Sequence, residues 1–468
     1  MSAVRPTDRT TDRTTDPAPD QEHSPAMTST TPAARHPNVV VLFTDQQRWD
    51  TVGAHGNPLG LTPHFDAMAA EGVLVEHSFT NQPVCAPSRA SLQTGRYPTA
   101  TGVYRNAIPL PEDATTIAKL FGAAGYETAY FGKWHLADDD VAGPVRPEQR
   151  GGYERWLAAN LLEFTSDAYA TTLYDEDGEP HELEGYRADA VTQAAIDFVR
   201  SEHDRPFFCF VSLLEPHHQN SRDDYPAPDG YAERYDGAWV PGDLAALGGG
   251  NWAEHLGGYL GMVARVDENL GRLRAALEEA GLAEDTVVLF TSDHGCHFKT
   301  RNDEYKRSVH DASLRVPTAL VGPGLRTGRP VERQVGHVDL PATLLDAAGL
   351  EVPDELDGRS LVPLVQGVPD DRPDEVLVQV SESQVGRAVR TPRWKYGVVA
   401  PGADGWDQAS ADTYEDAYLY DLEADPHELT NLAGSAAHAS TVRHLRERLA
   451  ALVVASGEPR PAFVPDLG

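Results

Sequence analysis

The fold is decided by the stretch Val39-Val40-Val41-Leu42-Phe43-Thr44-Asp45-Gln46-Gln47, in which an apolar run leads directly into polar residues. A β-branched run of this kind is typical of a parallel strand that is buried on both faces. In open α/β sheets, ligands bind beyond the carboxyl ends of the strands, which is where these polar residues would lie. The stretch therefore predicts a central strand whose end carries part of a functional site.

Two further runs have the same form. Residues 286–292 (TVVLFTS) lead into Asp293-His294-Gly295, and residues 206–214 (PFFCFVSLL) lead into Glu215-Pro216-His217. Apolar residues at helical spacing occur between the runs, at 116–124, 188–201 and 259–280. This alternation predicts an α/β fold with a mostly parallel sheet that is flanked by helices.

The character of the chain changes near residue 369. Short extended runs at 376–380, 386–390, 394–399 and 417–421 precede a helix at 436–455, with a Gly/Asp-rich loop at 402–416 and an extended end at 459–468. They predict a smaller C-terminal subdomain made of an antiparallel sheet and one helix. We therefore expect a disordered N-terminal tail at 1–36, a main domain at 37–368 and the subdomain at 369–468.

Composition limits the class of protein. A formal net charge of −33 over 468 residues argues against a nucleic-acid partner, which would require a basic face. No apolar run approaches the roughly 20 residues of a membrane span, so we expect no membrane partner. Cys85, Cys209 and Cys296 are too scattered for a disulfide framework, and residues 1–36 lack the apolar core of a secretory signal. These features predict a cytoplasmic protein, and the sequence leaves its oligomeric state open.

A candidate reaction centre lies in the stretch Cys85-Ala86-Pro87-Ser88-Arg89, which continues as a helix-compatible run. The Cys85 thiol would lie near the amino end of that helix, where backbone N–H groups and the helix dipole favour an anion. Arg89 is one turn further and would return beside the thiol, where it could hold negative charge. The alternative for Arg89 is a surface ion pair that contributes about 0–1 kcal/mol.

Candidate metal ligands follow two of the predicted strands. Asp45 with Gln46, and Asp293 with His294, offer oxygen and nitrogen donors that are far apart in sequence. Folding would bring such strand ends together, as a divalent-cation site requires. Taken separately, each Asp has the ordinary alternative explanation of a helix cap or a turn former. Their combination with Cys85 favours the metal site.

Several titratable residues follow strands or lie in polar loops. Lys133 and His135 come after an apparent strand at 128–131, and their alternate spacing would point both side chains to one side. They could bind an oxyanion and move a proton, or be a solvated lysine and a structural histidine. His217 suits a general acid or a structural role, and Lys306 lies in a loop where most charges are simply solvated. Candidates for lining a polar substrate pocket near Lys306 are His297, Arg301 and His310.

The pattern C-x-P-S-R followed by T-G-R, at residues 85–89 and 94–96, resembles the maturation signature of the type I sulfatases of the alkaline phosphatase superfamily. The resemblance continues through 37–47, 125–136, 215–217, 291–295, 315–317, 418–422, 425–426 and 431–432, and so covers nearly everything after the tail. It implies that a formylglycine-generating enzyme oxidises Cys85 to formylglycine. It also implies the alkaline phosphatase-like fold, with 37–368 as the catalytic domain.

The resemblance further implies hydrolysis of a sulfate monoester to an alcohol and sulfate. The hydrated formylglycine at Cys85 would attack sulfur, and elimination from the covalent intermediate would restore the aldehyde. Implied metal ligands are Asp45, Gln46, Asp293 and His294, with an oxygen of modified Cys85, and the expected ion is Ca²⁺. The implied catalytic set is Arg89 and Lys133 for the hydrate, His135 as the base for elimination, Lys306 for the transferring group and His217 as the acid for the leaving alcohol.

Two departures from the family pattern widen the alternatives. Many members have Asp-Asp where this chain has Asp45-Gln46, and Asp-Asn where it has Asp293-His294. An imidazole ligand keeps Mn²⁺ open beside Ca²⁺. Because the Gln and His variants also occur in phosphonate monoester and phosphodiester hydrolases, phosphorus esters are an alternative substrate class. A catalytically silent binding protein is the alternative if Cys85 stays a thiol. We expect a small-molecule or carbohydrate sulfate ester as the substrate.

Overall fold

A ten-stranded sheet forms the centre of the computed structural model, which describes residues 36–138 and 143–464. Its strands stand in the order β10-β2-β9-β8-β1-β7-β3-β4-β5-β6. Their bounds are β1 Asn38–Thr44, β2 Val73–Phe79, β3 Glu127–Lys133, β4 Arg155–Ala159, β5 Thr171–Asp175, β6 Pro180–Leu183, β7 Phe207–Ser212, β8 Thr286–Ser292, β9 Ala319–Val321 and β10 Val331–Gly336. The central strands β8, β1, β7, β3 and β4 run parallel, whereas β9, β5 and β6 pair antiparallel with their neighbours.

Helices cover both faces of this sheet. Their bounds are α1 Pro63–Glu71, α2 Cys85–Thr94, α3 Pro98–Thr101, α4 Ile117–Ala123, α5 Leu162–Thr165, α6 Arg187–Arg200, α7 Tyr231–Tyr235, α8 Gly242–Leu247, α9 Trp252–Glu279, α10 Asp311–Leu314, α11 Asp339–Ala347, α12 Val362–Val365 and α13 Ala439–Ala455. Within β1, Val39 and Val41 pack with α2, α4 and α11, while Val40 and Leu42 pack with α1, α6 and α9. The expected α/β class and the burial of β1 on both faces are thus confirmed.

The second sheet has five strands: β11 Val376–Val380, β12 Gly386–Arg390, β13 Trp394–Val399, β14 Thr413–Asp421 and β15 Ala462–Val464. The first four pair antiparallel, and α13 packs Leu445 and Leu449 against them. The smaller antiparallel sheet with a helix is therefore confirmed, although its edge strand β15 pairs parallel with β14. The domain boundary at residue 369 stays a prediction.

Some predicted bounds were wrong. β14 begins at Thr413, so the loop predicted for 402–416 ends four residues earlier. The first residues of this strand are largely polar, so no strand was predicted there. Asp416, for example, forms an ion pair with Arg446 instead of contributing an apolar side chain. Likewise, α9 begins at Trp252 instead of residue 259. The predicted tail lies outside the described residues except for His36, whose Nδ1 lies 2.8 Å from Ala348 O. The predicted extended end is described only as far as residue 464.

None of the helices in the described ranges combines the length and the apolar character that crossing a bilayer would require. The three cysteines are free and buried, in agreement with the expected lack of a disulfide framework.

Candidate active site

The carboxyl ends of four adjacent strands bring the predicted site residues together. β1 lies between β8 and β7, and β3 lies beyond β7. Asp45 directly follows β1, Asp293 directly follows β8, and Lys133 is the last residue of β3. Because these strands are parallel, their ends meet at one edge of the sheet, which is the usual ligand-binding edge of such folds. The amino end of α2 meets the same edge.

Cys85 is the first residue of α2 and is 2% exposed. Its Sγ lies 2.7 Å from Lys306 Nζ, 3.4 Å from His294 Nε2 and 3.8 Å from Lys133 Nζ. Burial alone would raise the pKa of the Cys85 thiol, but the charges of Lys133 and Lys306 hold that pKa well below its ordinary value. The position therefore stabilises negative charge, as the sequence predicted for it.

Four side chains could hold a metal ion. The ligand atoms of Asp45, Cys85, Asp293 and His294 all lie within 4.8 Å of one another, and every one of these residues is buried. His294 Nδ1 lies 3.0 Å from the Gly295 carbonyl oxygen, so this nitrogen carries the proton and Nε2 presents its lone pair to the cluster. A neutral imidazole in this orientation is what metal ligation requires.

Gln46 adds a fifth donor beside the cluster. Its backbone N–H donates to Asp293 Oδ1 at 3.0 Å, and its Nε2 donates to Tyr225 OH at 2.9 Å. Its Oε1 is buried and has no hydrogen-bond partner. A buried carbonyl oxygen left in this state is the kind of group that a cation satisfies. The donor set of two carboxylates, one amide oxygen and one imidazole thus fits a divalent ion.

Arg89 joins the two carboxylates of this group. Its Nη2 donates to Asp45 Oδ2 at 2.9 Å and to Asp293 Oδ2 at 3.2 Å, and its Nη1 donates to Ser212 Oγ at 2.8 Å. Burial and the nearby Cys85 favour a protonated Asp45, yet the charge of Lys133 keeps the pKa of Asp45 well below the usual range. Burial and the charge of Asp45 raise the pKa of Asp293. A cation bound between two such neighbouring carboxylates would stabilise the ionised form of both.

Lys133 reaches the cluster because β3 approaches β7 closely. Gly132 has a φ of 106°, and a Cβ atom at this position would lie 2.0 Å from the Ser212 carbonyl oxygen, so the position requires glycine. Lys133 is fully buried, and its Nζ donates to Asp45 Oδ2 at 2.7 Å. The Coulombic contact with Asp45 outweighs the burial of the ammonium and raises the pKa of Lys133. The lysine is therefore charged inside the site.

His135 joins Lys133 for a different reason from the one expected. Alternate spacing along a strand does not apply, because β3 ends at Lys133 and His135 has a left-handed backbone with φ of 59°. Instead, Glu163 Oε1 lies 2.8 Å from Lys133 Nζ and 3.2 Å from His135 Nδ1. Burial opposes a charged imidazole, but Glu163 raises the pKa of His135 to about 9. This imidazole also helps to lower the pKa of the Cys85 thiol.

His217 and Lys306 complete the group around the sulfur. His217 is 3% exposed, its Nδ1 lies 2.7 Å from the His218 carbonyl oxygen, and its side chain helps to lower the pKa of the Cys85 thiol. Lys306 Nζ lies 2.8 Å from His294 Nε2 as well as beside Cys85. All the predicted catalytic and metal-ligating residues therefore converge on one buried centre.

The three predicted substrate-binding residues lie elsewhere. His297 is fully buried, and its Nε2 lies 3.0 Å from the Lys306 carbonyl oxygen. This contact stabilises the loop that contains Lys306. Arg301 donates to the His427 and Glu428 carbonyl oxygens and lines a cavity of about 240 Å³ that does not include Cys85. His310 contacts Ser308 Oγ and Tyr420 OH. None of the three contacts the Cys85 sulfur.

Two residues of the site were not predicted. Glu163 lies in α5, four residues after the end of β4, and β4 pairs parallel with β3. The rule that polar residues follow strand ends would have found Glu163 if β4 had been recognised. Asn106 Oδ1 accepts the backbone N–H of Ala86 at 3.1 Å. No spacing in the sequence points to Asn106, because its contact is made across a loop.

Comparisons with known proteins all indicate the same family. The sulfatase family model matches residues 37–350, and a model for the C-terminal region of N-sulphoglucosamine sulphohydrolase matches residues 303–455. An ulvan-active sulfatase of Formosa agariphila is 31% identical over 85% of this chain and 77% of its own length. An N-acetylglucosamine-6-O-sulfatase of Bacteroides thetaiotaomicron is 25% identical over 89% of this chain and 86% of its own length.

The fold is shared with solved structures. A crystal structure of the yidJ protein from Bacteroides fragilis has a TM-score of 0.78 and 24% identity, with 91% of this chain and 97% of that chain covered. The sulfatase family model spans most of the described residues, including every residue of the buried centre. The chain therefore belongs to the sulfatase family of the alkaline phosphatase superfamily, and it is a sulfuric ester hydrolase.

Proposed function

We propose that the chain hydrolyses sulfate monoesters through a formylglycine that is formed from Cys85. The observation that carries this proposal is the position of Cys85 Sγ, 2.7 Å from Lys306 Nζ and within a group of four candidate metal ligands. An ester bound there would have its reacting atom beside the nucleophile and its negative charge beside two lysines. Conversion of Cys85 requires a formylglycine-generating enzyme as a partner during maturation.

A divalent cation belongs to this proposal. Asp45, Gln46, Asp293 and His294 would hold it, together with an oxygen of the modified Cys85. When bound, such an ion lowers the pKa of an attacking hydroxyl and takes up charge on the sulfuryl oxygens. The two carboxylates favour Ca²⁺, and the imidazole keeps Mn²⁺ as the alternative.

The side chains of the centre divide the remaining tasks. Lys133 and Lys306 would hold the negative charge of the transferring group, because both ammonium groups face Cys85. His217 would protonate the leaving alcohol, with its Nδ1 fixed by the His218 carbonyl and its Nε2 left for proton transfer. His135 in its neutral form would take the proton that must leave modified Cys85 when sulfate is expelled; because Glu163 raises the pKa of His135 to about 9, this neutral form is the minority at neutral pH. Arg89 would keep the carboxylates in place rather than contact sulfate.

The substrate that we propose is a sulfated carbohydrate, with a small sulfate ester as the simpler alternative. The support comes from the relatives, one of which is an N-acetylglucosamine-6-O-sulfatase and another an ulvan-active sulfatase. A cytoplasmic location was predicted from the sequence alone, and it stays a prediction.

A substrate panel tests the proposal. Protein in which Cys85 conversion has been verified by mass spectrometry is incubated with an aryl sulfate, N-acetylglucosamine 6-sulfate, an aryl phosphodiester and an aryl phosphonate monoester. We expect kcat/KM to be highest for the sulfate monoesters. Activity confined to the phosphorus esters would contradict the proposal and favour a phosphonate or phosphodiester hydrolase.

The Cys85→Ala variant is the control, and it should hydrolyse none of the four esters. A further outcome would show that the protein is a catalytically silent binding protein and not an enzyme. If Cys85 stays a thiol when the modifying enzyme is present, and the protein binds a sulfated sugar without turnover, catalysis is excluded.

A further inference from the structure

An exposed tryptophan is linked to the buried centre by a short series of contacts. Trp406 is 45% exposed and lies in the loop between β13 and β14. The preceding residue, Gly405, accepts the backbone N–H of Glu382 through its carbonyl oxygen at 2.9 Å. A Cβ atom on Gly405 would lie 2.8 Å from the nitrogen of Glu382, so the two backbones are in close contact. The position of Glu382 therefore fixes the position of the Trp406 loop.

Glu382 in turn touches two residues beside the nucleophile. Its Oε1 accepts the backbone N–H of Asn106 at 2.8 Å, and its Oε2 accepts Arg307 Nε. Asn106 binds the residue that follows Cys85, and Arg307 follows Lys306 in sequence. Trp406 is thus connected to both sides of the reaction centre through one carboxylate.

Arg105 holds the indole of Trp406 in place. Its guanidinium carbon lies 4.4 Å from the centroid of the Trp406 ring, and Tyr104 OH donates to the Trp406 carbonyl oxygen at 3.3 Å. Arg105 Nη1 donates to the Asn106 carbonyl oxygen at 2.8 Å, and its Nε is buried without a hydrogen-bond partner. Among the described residues, no carboxylate lies within ion-pair distance of Arg105. A guanidinium without an acid partner is unusual on so acidic a chain.

We propose that Trp406 and Arg105 form an outer subsite for the sugar next to the sulfated unit, so that the substrate is a sulfated oligosaccharide. The inference rests on the proposed function and names its substrate class. Arg105 covers one face of the indole, and the exposed part of the ring is free to stack against the apolar face of a pyranose. The residues that neighbour Trp406 in sequence supply polar groups of the kind that bind a polyol, because the side chains of Asp404, Asp407 and Gln408 are exposed.

The chain supplies a matched pair for comparison. The guanidinium carbon of Arg393 lies 5.0 Å from the centroid of the Trp394 ring, and Trp394 is the first residue of β13, the strand that precedes the Trp406 loop. Its ring contacts His438, and Arg393 pairs with Asp421, so neither residue contacts the centre around Cys85. A substitution at Trp394 therefore removes a similar Trp–Arg pair without altering the proposed subsite.

The test measures kcat/KM for N-acetylglucosamine 6-sulfate and for disaccharides that contain this unit. We expect the wild-type protein to prefer a disaccharide by about tenfold. Trp406→Ala should abolish this preference by raising KM for the disaccharide, while kcat/KM for the monosaccharide and for an aryl sulfate stays within about twofold. Arg105→Gln should reduce the preference in the same direction, and Trp394→Ala should leave it intact.

Three results would overturn the inference: no preference for any disaccharide in the wild-type protein, an equal loss on all substrates in Trp406→Ala, or the same loss in Trp394→Ala. If the wild-type protein hydrolyses no sulfate ester, the proposed function has failed. The subsite is then tested separately, by measuring how tightly the protein binds the disaccharides. Calorimetry with the same disaccharides on the Cys85→Ser protein should then give a Kd about tenfold weaker when Trp406→Ala is added. An unchanged Kd would reject the subsite as well.

Discussion

Glu163 Oε1 lies 2.8 Å from Lys133 Nζ, so a buried carboxylate outside the predicted site holds one of its two lysines. The same oxygen lies 3.2 Å from His135 Nδ1. Burial opposes ionisation, but the charges of Lys133 and His135 keep the pKa of Glu163 well below its usual value. Glu163 is therefore a charged positioning residue that sets the direction of two side chains facing Cys85.

Replacing this carboxylate should slow turnover without weakening substrate binding. Glu163→Gln keeps the shape of the side chain but removes the charge that orients Lys133 and His135. We expect kcat on an aryl sulfate to fall about 10- to 100-fold, the usual effect of losing such a supporting partner, with KM changed by less than about threefold. Steady-state kinetics measures kcat and KM separately and so checks both expectations. Glu163→Asp, which keeps the charge, should retain more activity than Glu163→Gln, and equal activities would show that charge is not the reason.

Removing divalent metal should lower both activity and thermal stability. Asp45 and Asp293 lie side by side, and the charge of Asp45 helps to raise the pKa of Asp293. A bound cation relieves this competition, so Ca²⁺ or Mn²⁺ should raise the unfolding temperature of metal-free protein. Differential scanning calorimetry on chelated and reloaded protein measures this without reference to activity. Asp293→Asn is the control and should show a smaller rise; a rise equal to that of the wild type would place the ion elsewhere.

The imidazole at position 294 should influence which ion is preferred. His294→Asn replaces a nitrogen donor by the amide oxygen that is common in the family. Because oxygen ligands suit Ca²⁺ and nitrogen ligands suit Mn²⁺, the ratio of Mn²⁺ to Ca²⁺ affinity should fall in the variant. Isothermal titration of the metal-free proteins gives both constants. A ratio that does not change would mean that His294 Nε2 is not a ligand.

A buried ion cluster joins β13 to α10, and the stability lost when it is broken should depend on pH. Lys395 is fully buried and donates to Asp311 and Glu428. Burial alone would raise the pKa of Asp311, but Lys395 and Arg390 hold it well below the usual range. Lys395→Met leaves buried carboxylates without their cation, which should cost about 3–5 kcal/mol in the free energy of unfolding at neutral pH.

The sign of the pH dependence follows from linkage. In the wild type, the folded pKa of Asp311 is depressed, so its contribution is present at neutral pH and is lost only in acid. In Lys395→Met the larger of the two charges that depress the pKa of Asp311 is gone, only Arg390 remains beside it, and burial favours the protonated acid. The stability gap between variant and wild type should therefore narrow from about pH 8 to about pH 5. Thermal unfolding at both values measures this. Arg393→Gln, at an exposed ion pair, should show a small gap at either pH.

Much of the site follows from local sequence, because parallel strands and their polar ends leave clear patterns. The runs around β1, β7 and β8 predicted where Asp45, Asp293 and His217 would lie. The helix after Cys85 was predicted as well, and α2 begins at that residue. These features depend on neighbouring residues and on the rule that strand ends share an edge.

The rest depends on contacts between distant segments. β4 has the sequence RWLAA, which is too short and too mixed to read as a strand, so Glu163 was missed. Arg89 was expected beside the nucleophile, but its direction towards Asp45 and Asp293 is set by the ends of β1 and β8. The loop that carries Trp406 has no pattern that could reveal its contact with Glu382. The identity of the nucleophile came only from the family resemblance, since no spacing indicates oxidation of a cysteine.

The most direct test measures sulfate release against the fraction of Cys85 that has been converted to formylglycine. Preparations with different degrees of conversion, made with varied levels of the modifying enzyme, are analysed by peptide mass spectrometry and assayed with one aryl sulfate. If formylglycine is the nucleophile, kcat per total protein should rise in proportion to the converted fraction and should be zero when only cysteine is present. A rate that does not depend on conversion, or fully converted protein that releases no sulfate, would contradict it.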